Sequence, residues 1–199
     1  MKIKLIESMI EPVNTVLYNG SSVDYDKVNI AKLNLHDDGY LGKGFYLTKD
    51  DWYATSYGQY VKKFKVKLDT AFNFNDIEDS TKYELAEYIV NKNYDSLNDK
   101  ITFAYYMERK SNDDTLKYAA NQIKRGKFGK EDFQYIISYI LDNPEFVFYG
   151  ALHDFSDDIT SFMKSRGYEA AFITHRGVKY YELIIYDISN LDNYVEFVE

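Results

Sequence analysis

The chain has 199 residues, with 24 Lys and Arg against 32 Asp and Glu, so its net charge at pH 7 is −8. That length fits one domain with room for an insertion, and 45% hydrophobic residues are enough for a core. The absence of Cys excludes disulfide scaffolds, thiolate catalysis and Cys-ligated metal centres. No apolar run approaches the roughly 18 residues of a membrane span, so we expect a cytoplasmic monomer without membrane contact.

Aromatic residues make up 18% of the chain, with 21 Tyr and 13 Phe but one Trp. Codon bias explains most of this excess, because an AT-rich genome enriches Tyr, Phe, Asn, Lys and Ile together. The functional alternative is that some tyrosines line a site for a flat ligand, since aromatic faces stack on planar rings. Composition alone does not select those tyrosines.

The first third of the chain is predicted to form three strands, two helices and a loop rich in Gly and Asp. In chain order these are a buried strand over 13–18 ending in a turn at 19–22, a weak helix over 24–33, a loop over 36–44, a strand over 44–48, a helix over 49–57 and a half-buried strand over 60–68. Thr48 is the predicted N-cap of the second helix. The last strand is indicated by Phe64, Val66 and Leu68, which alternate with lysines.

The remainder is predicted to be a helical block followed by a helix and two strands. Residues 80–142 have helical periodicity and form the predicted insertion within a single domain over 1–199. A helix over 157–166 ends at Gly167, and strands over 169–174 and 178–188 are joined by a hairpin turn at 175–177. Strands, a helical block and strands in this order indicate an α+β fold.

One charged side chain stands out among candidates for chemistry. Glu182 lies in an apolar and aromatic strand, where burial of a carboxylate is costly. The residues alone favour the interpretation that Glu182 lies on the outward face of an edge strand, and the alternative is a functional carboxylate. The three histidines have no metal-ligand spacing and the glycines no phosphate-loop spacing, so no metal site is predicted.

Three segments in order, LYNGSS, GKGFYLTKDDWYATSYG and SRGYEAAFITHRGVKYYELIIYDISNL, resemble the mono-ADP-ribosyltransferase superfamily. The resemblance is to the diphtheria-toxin and poly(ADP-ribose)-polymerase branch with its His-Tyr-Glu signature. In that branch a first strand ends in Tyr-His-Gly-Thr/Ser, a second segment has Gly-Phe/Ile-Tyr with another Tyr about eleven residues later, and a late strand has Glu. The match covers residues 13–70 and 160–191.

The resemblance implies a fold of split antiparallel β-sheets around an NAD cleft, with NAD⁺ as a substrate. It implies that Tyr46 and Tyr57 clamp the nicotinamide ring by stacking and cation–π attraction. Asn19, Gly20 and Ser21 complete the NAD⁺ site, with the backbone of Gly20 on the carboxamide. The resemblance further implies that Tyr46 and Glu182 are the catalytic residues, with the carboxylate of Glu182 stabilising the positive charge that develops on the ribose.

The chain departs from this pattern at Asn19, where the branch has His, although Asn still donates and accepts hydrogen bonds. Tyr180 stands where relatives that modify arginine have Glu or Gln, which disfavours arginine as the acceptor. The sequence thus predicts transfer of ADP-ribose to a macromolecule, a protein in preference to a nucleic acid, by a bacterial or phage effector or toxin. The alternatives are a catalytically inactive binding or inhibitor protein of this fold, and an unrelated α+β protein in which the tyrosines only pack.

Overall fold

The computed structural model describes residues 10–25, 37–39, 41–76, 79–93, 114, 117–118, 121–122, 125–127, 129–142 and 155–198. Strands and helices are both present, which confirms the α+β class. The strands are β1 (Ile10–Ser21), β2 (Asp37–Gly39), β3 (Gly42–Leu47), β4 (Tyr60–Asn73), β5 (Ala170–His175), β6 (Val178–Ile185) and β7 (Val195–Val198). The helices whose bounds the structure describes are α1 (Asp51–Ala54), α2 (Asp79–Asn93), α3 (Lys130–Asp142) and α4 (Ser156–Ser165), with 3₁₀ helices at Phe74–Asp76 and Ile188–Asn193.

The chain divides into two compact units. The first unit comprises Met1–Asp76 and Leu152–Glu199, and the second comprises Ile77–Ala151. In the second unit α2 packs against α3. Residues four apart on a helix share one face, and the pairs Leu85 and Ile89 of α2 and Phe133 and Ile137 of α3 give each helix a buried apolar face. Among the described side chains of this helix pair, those buried are Leu85, Ala86, Ile89, Val90, Phe133 and Ile137.

The strands that the structure describes lie in the first unit, in the order β1-β4-β5-β6-β3-β2, with β7 also paired to β4. β4 is the strand that joins the two halves of the sheet. β1 runs antiparallel along one edge of β4, whereas the other edge is shared by β7 and, at its carboxyl end, by β5. The β4–β5 pair is parallel, so the expectation of purely antiparallel pairing is wrong there. A long crossover between these two strands permits a parallel return to the sheet.

A short backbone contact joins β1 to the end of β3, although three strands separate β1 from β3 in this order. Tyr18 of β1 and Thr48, directly after β3, exchange two N–H···O bonds of 2.8 Å each. Continuing that register would pair Gly20 with Tyr46, but in the described strands the pairing of β1 with β3 is limited to this one bridge. The two strands therefore diverge beyond it, with Asn19 and Gly20 on one side and Tyr46 on the other.

Strand alternation determines which side chains reach the main core. On β3 and β6, Phe45, Leu47, Leu183 and Ile185 belong to the buried apolar cluster of the first unit. Their neighbours point to the opposite face, because successive side chains in a strand alternate. Tyr46 is paired with Ile184 in the antiparallel register, so Tyr46, Ile184 and Glu182 share that opposite face.

Several expectations for local structure are confirmed. Along β4, Phe64, Val66 and Leu68 are buried between exposed lysines. β5 and β6 are joined by a two-residue turn in which Arg176 and Gly177 have φ of 49° and 79°, as a type I′ hairpin requires. Gly167 follows α4 with φ of 82°.

Other expectations are corrected or lie outside the described residues. β1 continues through Ser21 instead of ending in a turn at 19–22, because β4 supplies backbone partners for these residues. The predicted helix over 24–33 lies outside the described residues after Tyr25, as does most of 94–128. Among the helices described, none combines the length and the apolar character needed to cross a membrane.

Candidate functional site

The helix that follows β3 is short and its cap differs from the prediction. α1 spans only Asp51–Ala54, and its N-cap is Asp50, whose carboxylate accepts the N–H of Tyr53 at 3.0 Å. Thr48, the predicted N-cap, instead accepts the N–H of Asp50 with its hydroxyl at 3.2 Å. A turn over 55–57 continues α1, since the N–H of Tyr57 donates to the carbonyl of Ala54 at 3.1 Å. The chain therefore presents Tyr53 and Tyr57 four residues apart on one side.

Glu182 is buried and is held by two tyrosine hydroxyls. Only 3% of its surface is exposed. The hydroxyl of Tyr53 donates to Glu182 Oε1 at 2.6 Å, and the hydroxyl of Tyr57 donates to the same oxygen. The structure thus joins two of the predicted site residues, Tyr57 and Glu182, in direct contact. A buried carboxylate needs such donors, because an unsatisfied charge in an apolar environment is strongly destabilising.

Burial and the charge of Glu182 both favour the protonated form of these tyrosines. The pKa values of the Tyr53 and Tyr57 hydroxyls are raised well above the usual tyrosine value, first by burial and then by the nearby carboxylate. Both groups therefore remain hydrogen-bond donors throughout the neutral pH range. In the described part of the chain, neither hydrogen-bond partner of Glu182 is a cation.

Tyr53 is a site residue that the sequence did not indicate. Its ring stacks on Tyr181 at a centroid distance of 4.5 Å and an interplanar angle of 29°, and it meets the ring of Tyr57 edge-on at 5.5 Å. Tyr181 in turn contacts His175 at 4.9 Å. The four-residue spacing of Tyr53 and Tyr57 is the signal that could have found it, because both residues fall in the helix predicted over 49–57.

Asn19 and Tyr46 lie where β1 and β3 diverge, and Asn19 spans the gap between them. Asn19 Nδ2 donates to the carbonyl of Tyr46 at 2.7 Å, and Asn19 Oδ1 accepts the hydroxyl of Tyr25 at 2.5 Å. Both ends of this amide are thus bonded within the protein, and only 4% of Asn19 is exposed. The ring of Tyr46 is also buried, with its hydroxyl donating to the carbonyl of Gly42 at 2.8 Å.

Gly20 and Ser21 have local partners as well. A Cβ atom on Gly20 would lie 1.7 Å from the carbonyl oxygen of Ala54, so close packing of β1 against the end of α1 requires glycine there. Ser21 is buried, and its hydroxyl oxygen accepts the N–H of Val23 at 3.1 Å. A Cβ atom on Gly58 would lie 2.0 Å from the carbonyl carbon of Ser21, so both Gly20 and Ser21 lie beside the segment that contains Tyr53 and Tyr57.

An irregularity in β6 precedes Glu182. Ile173 of β5 is opposite Glu182, whereas His175 is opposite Val178, so β6 has two extra residues between these pairs. Tyr180, inside this bulge, has a φ of 57°, a left-handed conformation that is uncommon for a residue with a side chain. Its carbonyl accepts the N–H of Lys49 at 2.9 Å, which fixes the bulge to the chain leaving β3.

The residue types at the site suit organic rather than metal ligands. Within the described residues, no group of three or more His, Asp or Glu side chains is arranged to hold a metal ion. The cluster offers a buried carboxylate, tyrosine rings and hydroxyls, which can stabilise positive charge and stack on a planar group. Comparison of the chain with protein-family models, with curated proteins and with solved structures finds no match.

Proposed function

We propose that this protein is a mono-ADP-ribosyltransferase that transfers ADP-ribose from NAD⁺ to a macromolecular acceptor and releases nicotinamide. The observation that carries the proposal is the buried carboxylate of Glu182, held by the hydroxyls of Tyr53 and Tyr57. A carboxylate fixed in this way is suited to stabilise positive charge on a sugar. The resemblance in sequence assigns that role to the same residue, Glu182, without reference to its contacts.

In the proposed reaction the bond between ribose C1′ and the nicotinamide nitrogen breaks, and its electron pair leaves with nicotinamide. The ribose then has the character of an oxocarbenium ion, which Glu182 stabilises through the 2′-hydroxyl. A nucleophile of the acceptor forms the new bond to C1′ and loses its proton. With water as the acceptor the same step would be NAD⁺ hydrolysis. A protein acceptor is favoured over a nucleic acid, and the site of action is the cytoplasm of the producing or target cell.

The positions of the clamp residues agree with this proposal to different degrees. Tyr57 contacts Glu182 and is 37% exposed, so its ring is accessible to a nicotinamide. Tyr46 shares the sheet face of Glu182 but is 5% exposed, so its ring must be uncovered before it can stack on a ligand. We place the NAD⁺ cleft where β1 and β3 diverge beyond the Tyr18–Thr48 bridge, which corresponds to the split between two sheets that the resemblance implies.

A second candidate function is a non-catalytic binding or inhibitor protein with the same fold. The observation in its favour is Asn19, which replaces the His of the related branch. Its amide oxygen and nitrogen are bonded to Tyr25 and Tyr46, so it is not directed to a ligand. On this alternative Glu182 and its tyrosines stabilise the fold, and the carboxylate has no chemical role.

The two candidates differ in what Glu182→Gln changes. Purified protein is incubated with NAD⁺ labelled in the adenylate moiety, with and without a cell lysate, and both nicotinamide release and label transfer are measured. For an enzyme, Glu182→Gln lowers the rate by about 100-fold or more, whereas the control Glu196→Gln, at an exposed position of β7, does not. Digestion of the labelled product with protease or nuclease identifies the acceptor class. The absence of nicotinamide release and of label transfer by the unmodified protein would contradict the proposal.

A further inference from the structure

The two carboxylate oxygens of Glu182 have different surroundings. Tyr53 donates to Oε1 at 2.6 Å, and Tyr57 donates to that same oxygen. Neither bond involves Oε2. Because two donors converge on one oxygen, the orientation of the whole carboxylate is determined, and Oε2 is the oxygen left to meet an incoming hydroxyl.

The two donors are also held differently. The backbone of Tyr53 is fixed by the cap bond to Asp50, at 3.0 Å, and its ring is stacked on Tyr181. Tyr57 lies three residues beyond the end of α1 and has the more exposed ring, which the proposed function assigns to nicotinamide. The hydroxyls of the two tyrosines are 3.2 Å apart, so Tyr53 also limits where Tyr57 can place its hydroxyl. Tyr53 is therefore the fixed donor of the pair.

We propose that Tyr53 is the positioning residue of this site: it fixes Oε1 of Glu182 so that Oε2 faces the ribose 2′-hydroxyl. The identity of the ribose rests on the proposed function, whereas the orientation of the carboxylate does not. Tyr53 itself does not touch the substrate. It acts through Glu182, and its loss affects the rate of the reaction and not the binding of NAD⁺.

The kinetic test uses Tyr53→Phe, which keeps the ring and its stacking on Tyr181 but removes the donor. Since a hydrogen bond to a charged group is substantial, kcat is expected to fall about tenfold, with KM for NAD⁺ unchanged within about twofold. The matched control is Tyr83→Phe in α2, a tyrosine that is 57% exposed, with kcat and KM both unchanged. A rise in KM at constant kcat, or no effect at all, would overturn the assignment.

Infrared spectroscopy tests the orientation without any turnover. The difference between the spectra of the unmodified protein and Glu182→Gln isolates the carboxylate bands of Glu182. The frequency difference between these two bands depends on how unequally the two oxygens are hydrogen-bonded. We expect Tyr53→Phe to change this difference and Tyr83→Phe to leave it unchanged. A shift without NAD⁺ consumption by the unmodified protein would reject the proposed function and retain the positioning role of Tyr53. Identical Glu182 bands in Tyr53→Phe and the unmodified protein would reject that role.

Discussion

Replacing Gly20 with Ala introduces one carbon atom at the contact between β1 and α1. The new Cβ would lie 1.7 Å from the carbonyl oxygen of Ala54 and 2.7 Å from its carbonyl carbon. Ordinary van der Waals contact begins at 3.4 Å, so the strand and the helix must separate by about 3.4 − 1.7 = 1.7 Å. Backbone atoms form the obstacle, and no rotation of a side chain relieves it.

This separation has a stability cost and a local effect. Overpacking of this kind costs about 1–3 kcal/mol, which for a chain of this length lowers Tm by about 2–12 °C. α1 also holds Tyr53, whose 2.6 Å bond to Glu182 cannot persist if its donor moves outward by a comparable distance. We therefore expect Gly20→Ala to reduce NAD⁺ turnover even at temperatures where the protein remains folded.

Near-UV circular dichroism of the buried aromatic side chains, among them Phe45 and Phe64, follows the unfolding of the unit that contains α1. Gly129→Ala is the matched control, because its Cβ would have no neighbour closer than 4.0 Å. The Tm of Gly129→Ala is expected to equal that of the unmodified protein. If Gly20→Ala also melts at the unmodified temperature and keeps full turnover, the close packing of β1 against α1 is wrong.

Three further predictions concern other parts of the first unit. Asn19→Ala removes two buried hydrogen bonds and is expected to lower the free energy of unfolding by about 2–4 kcal/mol in urea titrations; a loss below about 0.5 kcal/mol would contradict its role between the strands. Because the pKa of Tyr57 is raised in the folded state, the unfolded state releases this proton first as the pH rises above the ordinary tyrosine value of about 10. Stability should therefore decline with pH above that value, and less steeply in Tyr57→Phe, which removes the titrating hydroxyl, as measured by denaturation at a series of alkaline pH values; equal slopes would contradict the raised pKa of Tyr57. Arg176→Asn gives the hairpin turn the Asn-Gly sequence that its two positive φ angles favour, so Tm should rise by about 1–4 °C, and a lower Tm would argue against the turn type.

The parts of the fold that the sequence predicts correctly are those with strong local preferences. The alternation in β4 and the turn at Arg176-Gly177 depend on side-chain period and backbone conformation, which neighbouring residues determine. β1 was predicted to end too early, because Asn19, Gly20 and Ser21 have turn preferences. Pairing with β4 overrides those preferences, and that partner is some forty residues distant in the chain.

The candidate site was predicted less completely than the fold. Tyr57 and Glu182 were expected to lie together, and the structure joins them directly. The predicted helix over 49–57 places Tyr53 and Tyr57 four residues apart on one face. Tyr53 is nevertheless not indicated by the sequence, because its role depends on the contact with Glu182, which is 129 residues distant in the chain. No turn residue marks the bulge at Tyr180, so the local register of β6 was also not predictable.

The division of the first unit between two distant segments of the chain has a consequence for folding. Glu182 can reach Tyr53 only after the 75 residues of Ile77–Ala151 have been synthesised and the late strands have followed them. Closing so long a loop is slow, since its entropic cost precedes the contacts that compensate for it. During synthesis the second unit can fold first, while β1, β3 and β4 await β5 and β6. The buried carboxylate is therefore assembled only after the whole of Ile77–Ala151 and the late strands have been synthesised.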